Sequence, residues 1–193
     1  MAQGQWFVSS EGTRWWFDSG ALSLDFAYTG SMSHNSAWEH LHSPGDLGAW
    51  LEGRFERYGD EPADRDLIDA KALRDAVGRL ALSAASHEAP RPDDIDTINL
   101  FAATPDVPPA LDGGSRQAGR SRIRTGQALS TIARDAVELF GHNTEQRIRE
   151  CAADDCRLVF YDESRTNNRR WCSMQRCGNR AKVRAFRAKG TQQ

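Results

Sequence analysis

The four cysteines of this chain all lie in its last quarter, as two equally spaced pairs, Cys151-x4-Cys156 and Cys172-x4-Cys177. None occurs in the 150 residues before them. Thiolates gathered in this way are best suited to tetrahedral Zn²⁺, so the pattern predicts one structural zinc ion. Two alternatives remain open: an iron–sulfur cluster, whose usual spacings are missing here, and thiols left reduced or joined as disulfides.

Arginine crowds the same segment. Residues 147–189 carry 12 Lys and Arg against 5 Asp and Glu, a balance of +7 that leaves −9 for the rest of a chain whose net charge is −2. A metal-bound basic module on an acidic body points to a phosphate-bearing partner, and the module rather than the body must meet it. Arg180, Arg184 and Arg187 have helical i, i+4, i+7 spacing behind Arg176, while Arg169 and Arg170 precede the second cysteine pair. These six are the candidate contacts to double-stranded DNA.

The elements that must position these residues can be read from periodicity and turn chemistry. Gln5–Val8 and Thr13–Phe17 flank Ser10-Glu11-Gly12 as a hairpin. Ala21–Tyr28 alternates apolar and polar residues and reads as a third strand, followed by a polar loop from Gly30 to His42. Ser43-Pro44-Gly45-Asp46 is a helix start, with Ser as cap and Pro in the first turn. Leu47, Trp50, Leu51 and Phe55 continue it. Helical spacing returns from Asp64 to about Ser86, from Asp93 to Ala102 and from Gln127 to about Arg149, where Gly141 is a potential break. Residues 104–125 read as a loop around Asp112-Gly113-Gly114.

In the cysteine segment, Leu158–Tyr161 is a short apolar run and Asp162–Asn168 a turn. Helical spacing resumes from Arg180 through Val183 and Phe186. A knuckle, a hairpin and a second pair leading into a helix is the plan of a treble-clef finger, with Phe160, Trp171, Val183 and Phe186 as its expected small core and zinc supplying the folding free energy. The fold class is therefore α+β: residues 1–145 form a strand-and-helix domain and residues 146–193 a four-cysteine finger. On that division, replacing Cys172 is expected to melt the finger alone.

Cys172-Ser-Met-Gln-Arg-Cys177-Gly178-Asn179-Arg180, preceded by Phe160-x-Asp162-x-Ser164-Arg165 and Arg169-Arg170-Trp171, resembles the CGNR zinc finger over some forty residues. Leu24-Asp25-Phe26, Ser43-Pro44-x-Asp46-Leu47-x-x-Trp50 and Leu73-Arg74-Asp75-Ala76 are similar to the ABATE domain that precedes the finger in that family. The resemblance implies a stress-response transcription regulator whose finger binds DNA and whose body senses an unidentified small ligand or partner. Asp25, Tyr28, Trp50 and Arg74 are then the candidate ligand contacts, with Arg74 expected to pair with Asp25 or an acidic ligand. The chain departs from the family at Tyr28, where Asn is usual.

Other groups carry weaker expectations. His34, Glu39, His40 and His42 share one loop and suggest a second metal, at spacings that match no established site. Trp15 and Trp16 are adjacent and must point to opposite faces of their strand, so one of them meets something other than the main core. No Gly-x-Ser-x-Gly, phosphate-loop or His-Glu-x-x-His motif is present, and no enzymatic activity is expected. No apolar run suits a membrane span and the first residues lack signal-peptide character, which points to the cytoplasm. One finger makes a small footprint, so a homodimer is expected on DNA. Two other function classes remain: a protein-docking adaptor without direct DNA binding, and a small-molecule enzyme with an accessory finger.

Overall fold

A computed structural model describes residues 4–8, 12–30, 32, 38–109, 111, 122–141 and 144–190. The chain begins with an antiparallel hairpin, β1 (Gln5–Val8) and β2 (Arg14–Phe17), in the register Gln5 to Phe17 and Phe7 to Trp15. Phe7, Trp15 and Phe17 form its buried face. Most of the proposed turn, Ser10 and Glu11, lies outside the described residues, as does the glycine pair at 113–114.

The run after the hairpin is helical. Leu22–Ala27 forms α1, and every residue from Ala21 to Gly30 is buried. The expected third strand is therefore corrected. Its alternating polar residues do not face water but are hydrogen-bonded inside: Ser23 donates through both its amide and hydroxyl to Asp135, and Asp25 accepts from the Gly4 amide and the Ser19 hydroxyl. A period of two between apolar residues signals a strand only when the intervening residues are solvated.

α2 (Pro44–Glu52) starts as expected, with a capping box in which Ser43 Oγ accepts from the Asp46 amide and the Asp46 carboxylate accepts from the Ser43 amide. α3 (Asp64–Ala85), α4 (Pro92–Ala102) and α5 (Thr125–Gly141) form the helical body. α3 buries Ala70, Leu73, Ala76, Val77 and Ala81 as one stripe; α5 answers with Ala128, Leu129, Ile132, Ala133 and Ala136. α5 ends at Gly141, and the reading of a helix to Arg149 is corrected: a 3₁₀ turn (Thr144–Arg147) leads into strand β3 (Ile148–Glu150). β3 pairs antiparallel with β4 (Val159–Tyr161). A π turn (Met174–Gly178) then feeds α6 (Asn179–Gly190).

The buried core is continuous from the body into the cysteine segment. Ile148, Leu158, Val159 and Phe160 join the same cluster as Leu24, Phe26 and Leu73. α3 packs against both β3 and β4. The expected finger core is half corrected: Phe160 is fully buried and Trp171 partly so, but Val183 and Phe186 are 49% and 80% exposed. The finger takes its apolar support from the body instead of from α6. No helix among the described residues is long and apolar enough to cross a membrane.

Candidate metal centre and nucleic-acid face

The hairpin and the π turn bring all four sulfurs together. Cys151 follows β3, and its amide donates to Leu158 O (2.8 Å); the Cys156 amide donates to Ala153 O (2.9 Å), closing the first knuckle. The Ala152 amide donates to Arg170 O (2.9 Å), holding the approach to Cys172 against that knuckle. Cys177 lies in the π turn, where the Gly178 amide donates to Ser173 O (3.1 Å).

The four thiols are buried, and their sulfurs lie within 4.8 Å of one another. Two separations, Cys156 to Cys172 at 3.7 Å and Cys172 to Cys177 at 3.5 Å, match the roughly 3.8 Å between sulfurs of a tetrahedron with Zn–S bonds of about 2.3 Å. The cysteines are not disulfide-bonded. Without a cation such a cluster cannot ionise fully: hydrogen bonds from the other three thiols pull Cys177 down, while Cys172 is pushed up by its neighbours and by burial. A divalent ion would resolve this conflict by taking all four as thiolates. Two donors also stand ready for sulfur, the Cys172 amide to Cys151 Sγ and Arg180 Nη2 to Cys177 Sγ, both at 3.4 Å. They would offset the excess negative charge of a four-thiolate site.

The arginines divide into braces and surface groups. Arg169 is a brace: Nη2 donates to Asp18 O (2.8 Å) and Cys172 O (2.6 Å), Nε donates to Trp171 O (3.1 Å), and the guanidinium lies over the Phe160 ring. Burial lowers its pKa from the ordinary value. Three of its five N–H donors are thus engaged within the protein, and the phosphate contact proposed for it would fall to Nη1. Arg176 packs 3.9 Å over the Trp15 ring and ties the π turn to β2. Arg180 makes a paired contact to Asp155 (2.9 and 3.2 Å), and Arg184 reaches the same carboxylate (3.2 Å). Arg170 is exposed over the Trp171 ring, and Arg187 is exposed on α6.

The motif's other residues act locally. A Cβ on Gly178 would meet the Met174 thioether and the Trp171 ring, so the glycine makes room for Met174. Asn179 Nδ2 donates to Gln175 O (3.4 Å), closing the π turn at the start of α6.

Sequence reasoning missed the acids that organise the finger. Asp162 is fully buried and accepts from the Ser164 amide (2.9 Å) and the Arg169 amide (2.7 Å). Burial raises its pKa, but these bonds outweigh it and keep the carboxyl below its ordinary value. The Asp-x-Ser spacing was the available signal, since this pair commonly builds such a turn. Asp155 carried no comparable signal: only the fold brings it to α6.

The four ligand candidates of the body are packed or hydrogen-bonded against other residues of the chain. Asp25 and Tyr28 are fully buried, with Asp25 bonded as above and Tyr28 Oη bonded to Val159. Trp50 packs on Phe26 and beneath Arg54. Arg74 takes Glu39 (2.7 Å) and Asp75 (2.9 Å) as ion partners, the arrangement found where Asp25 was expected. Burial opposes both charges of the Arg74–Glu39 pair, yet their hydrogen bond holds Glu39 below and Arg74 above its ordinary pKa. Glu39 is thereby committed, and the proposed second metal group loses its carboxylate; His34 lies outside the described residues. The cysteine quartet is the one metal-ligating cluster among the described residues.

Comparison with known families agrees with this geometry. Residues 20–143 match ABATE, described as "Putative stress-induced transcription regulator", and residues 147–190 match the CGNR zinc finger. None of the curated proteins compared with the chain matches it. The first match covers well over half of the chain, and the four buried cysteines meet the finger's need for one structural zinc. The chain belongs to the ABATE family and carries a CGNR zinc finger.

Proposed function

We propose that this protein is a cytoplasmic, non-enzymatic transcription regulator that binds double-stranded DNA through α6. The observation that carries the reading is the exposure of α6: every residue from Lys182 to Ala188 is exposed. A cysteine of the zinc quartet lies two residues before the helix. At 12 residues it is about 18 Å long, and a helix of that kind fits a major groove about 12 Å wide. Lys182, Arg184 and Arg187 supply cations for phosphates, and Phe186 offers an apolar surface of the kind that meets a thymine methyl group. The body would act as sensor or docking unit, and pairing of two chains would enlarge the small footprint of one finger.

Binding of the zinc-loaded chain to random duplex DNA across a salt series tests this. Three phosphate contacts predict an affinity loss of about forty-fold between 50 and 200 mM salt. Lys182→Ala with Arg187→Ala should weaken binding and flatten that slope while zinc content stays at one per chain. A duplex affinity that ignores both salt and these substitutions would remove α6 from the contact.

A protein-docking role is the second reading, favoured by the exposure of Met174, Val183 and Phe186. It predicts no duplex binding at any salt concentration.

A further inference from the structure

The β1–β2 hairpin buries only one face. Its outer face presents Trp6 and Trp16, 56% and 41% exposed, with ring centroids 5.4 Å apart in an edge-to-face pair. The Arg14 guanidinium lies 5.0 Å over Trp6. This surface runs into an open cleft of about 680 Å³ at the seam with the finger. Trp16 and Asp18 form one wall; Arg170, Trp171 and Met174 lie among the residues opposite. The volume falls within the roughly 300–1,000 Å³ typical of small-ligand sites.

The chemistry of this surface is specific. Two tryptophans open to water, one of them in a cleft, are apolar area that folding has left uncovered. Arg170, stacked 5.1 Å over Trp171, adds a cation to the same cleft. Aromatic faces beside guanidinium groups suit unpaired nucleobases, because every base has a face to stack and every nucleotide a phosphate to pair. Duplex DNA keeps its base faces covered by stacking, so it cannot use such a site without opening. Charge agrees in sign: the finger segment is strongly basic, and the one acid in the cleft, Asp18, has its carboxylate engaged by the Gly20 amide (3.0 Å).

We infer that the cleft between β2 and the finger binds single-stranded nucleic acid, with an unpaired base stacked on Trp16 and Arg170 on the adjoining phosphate. This site is distinct from the duplex contact assigned to α6 and does not depend on it.

The test uses the full-length, zinc-loaded chain with a fluorescein-labelled twelve-nucleotide oligo(dT), a duplex of equal length, and an abasic strand of the same backbone. Oligo(dT) should bind and quench tryptophan fluorescence, and the abasic strand should bind more weakly by about tenfold or more. Trp16→Ala should lose a similar factor for oligo(dT), and Trp16→Phe should recover part of it. Arg170→Ala, at an exposed position that leaves the core intact, should weaken oligo(dT) binding and reduce its salt slope by about 0.7. Lys182→Ala with Arg187→Ala should leave oligo(dT) bound while weakening the duplex, which separates this site from α6. Equal binding of oligo(dT) and the abasic strand would overturn the proposal. So would an oligo(dT) affinity unchanged by Arg170→Ala, a result that stands even if Trp16→Ala does not fold.

Discussion

Tyr28 Oη accepts a hydrogen bond from the Val159 amide at 2.7 Å and donates one to the Val159 carbonyl at 2.8 Å. One phenol at the end of α1 thus satisfies both backbone groups of a residue in β4, 131 positions away. Gly20 and Ser19 lie at the same seam: the Tyr161 amide donates to Ser19 O (2.8 Å), and Arg169 reaches Asp18 O. The finger is tied to the body by backbone hydrogen bonds as well as by apolar contact.

Tyr28→Phe keeps the ring but leaves the Val159 N–H and C=O buried without that partner. A loss of about 2 kcal/mol is expected, or roughly 4–8 °C in melting temperature for a chain of this size. Thermal melts of the zinc-loaded protein check this, and a change below 1 °C would show that the bond is dispensable.

The same phenol sets an alkaline limit. Burial is the main cause that raises the Tyr28 pKa well above its ordinary value of 10, with nearby cysteine charge adding to it and the Val159 bond opposing it. Below pH 10 the folded and unfolded states both keep the proton. Above it the unfolded tyrosine ionises first, so stability falls by about 1.4 kcal/mol per pH unit until the folded pKa is reached. Denaturation between pH 9 and 11 should show a steeper decline in the native chain than in Tyr28→Phe. Parallel declines would mean that other groups account for the whole effect.

Gly20 has φ +86°, and a Cβ there would collide with the Tyr161 carbonyl oxygen. Gly20→Ala is therefore expected to cost about 2–3 kcal/mol through both left-handed strain and a forced separation of α1 from β4. A melting temperature within 2 °C of the native value would contradict that close approach.

Zinc removal should be felt far from the sulfurs. Because Leu158, Val159 and Phe160 share the core with α1 and α3, chelation or Cys172→Ser should raise amide exchange in Leu22–Ala27 as well as in the finger. Metal content should fall from one per chain to near zero. Unchanged protection of α1 after metal loss would restore the simpler expectation that the finger melts alone.

Asp155 restrains two cations of the proposed nucleic-acid face, Arg180 and Arg184. Asp155→Asn should leave the melting temperature nearly unchanged, as exposed ion pairs contribute little. It should tighten duplex binding, because the cations of α6 lose a competing carboxylate. Unaltered DNA affinity would place both arginines outside the interface.

Local features were legible wherever one segment carries its own reason. The Ser43–Asp46 box, the stripes of α3 and α5 and the hairpin of Trp15 follow from spacing and capping within a few residues. α1 was misread because its polar residues are satisfied by Asp135, Gly4 and Ser19, partners that no local pattern reveals. The arginines show the same limit: their spacing predicts a face, but Asp155, Trp15 and the Asp18 carbonyl decide which of their donors are engaged within the protein.

By itself, then, the sequence determined the zinc quartet, the charge division and the body helices α2 to α5, because thiol spacing, composition and periodicity are local quantities. Only the tertiary structure decided that the finger rests on the body through Tyr28 and Gly20, and that Arg169 is a brace while α6 stays exposed. Those outcomes depend on contacts between residues more than a hundred positions apart, where burial and hydrogen-bond satisfaction outweigh any preference of a single segment.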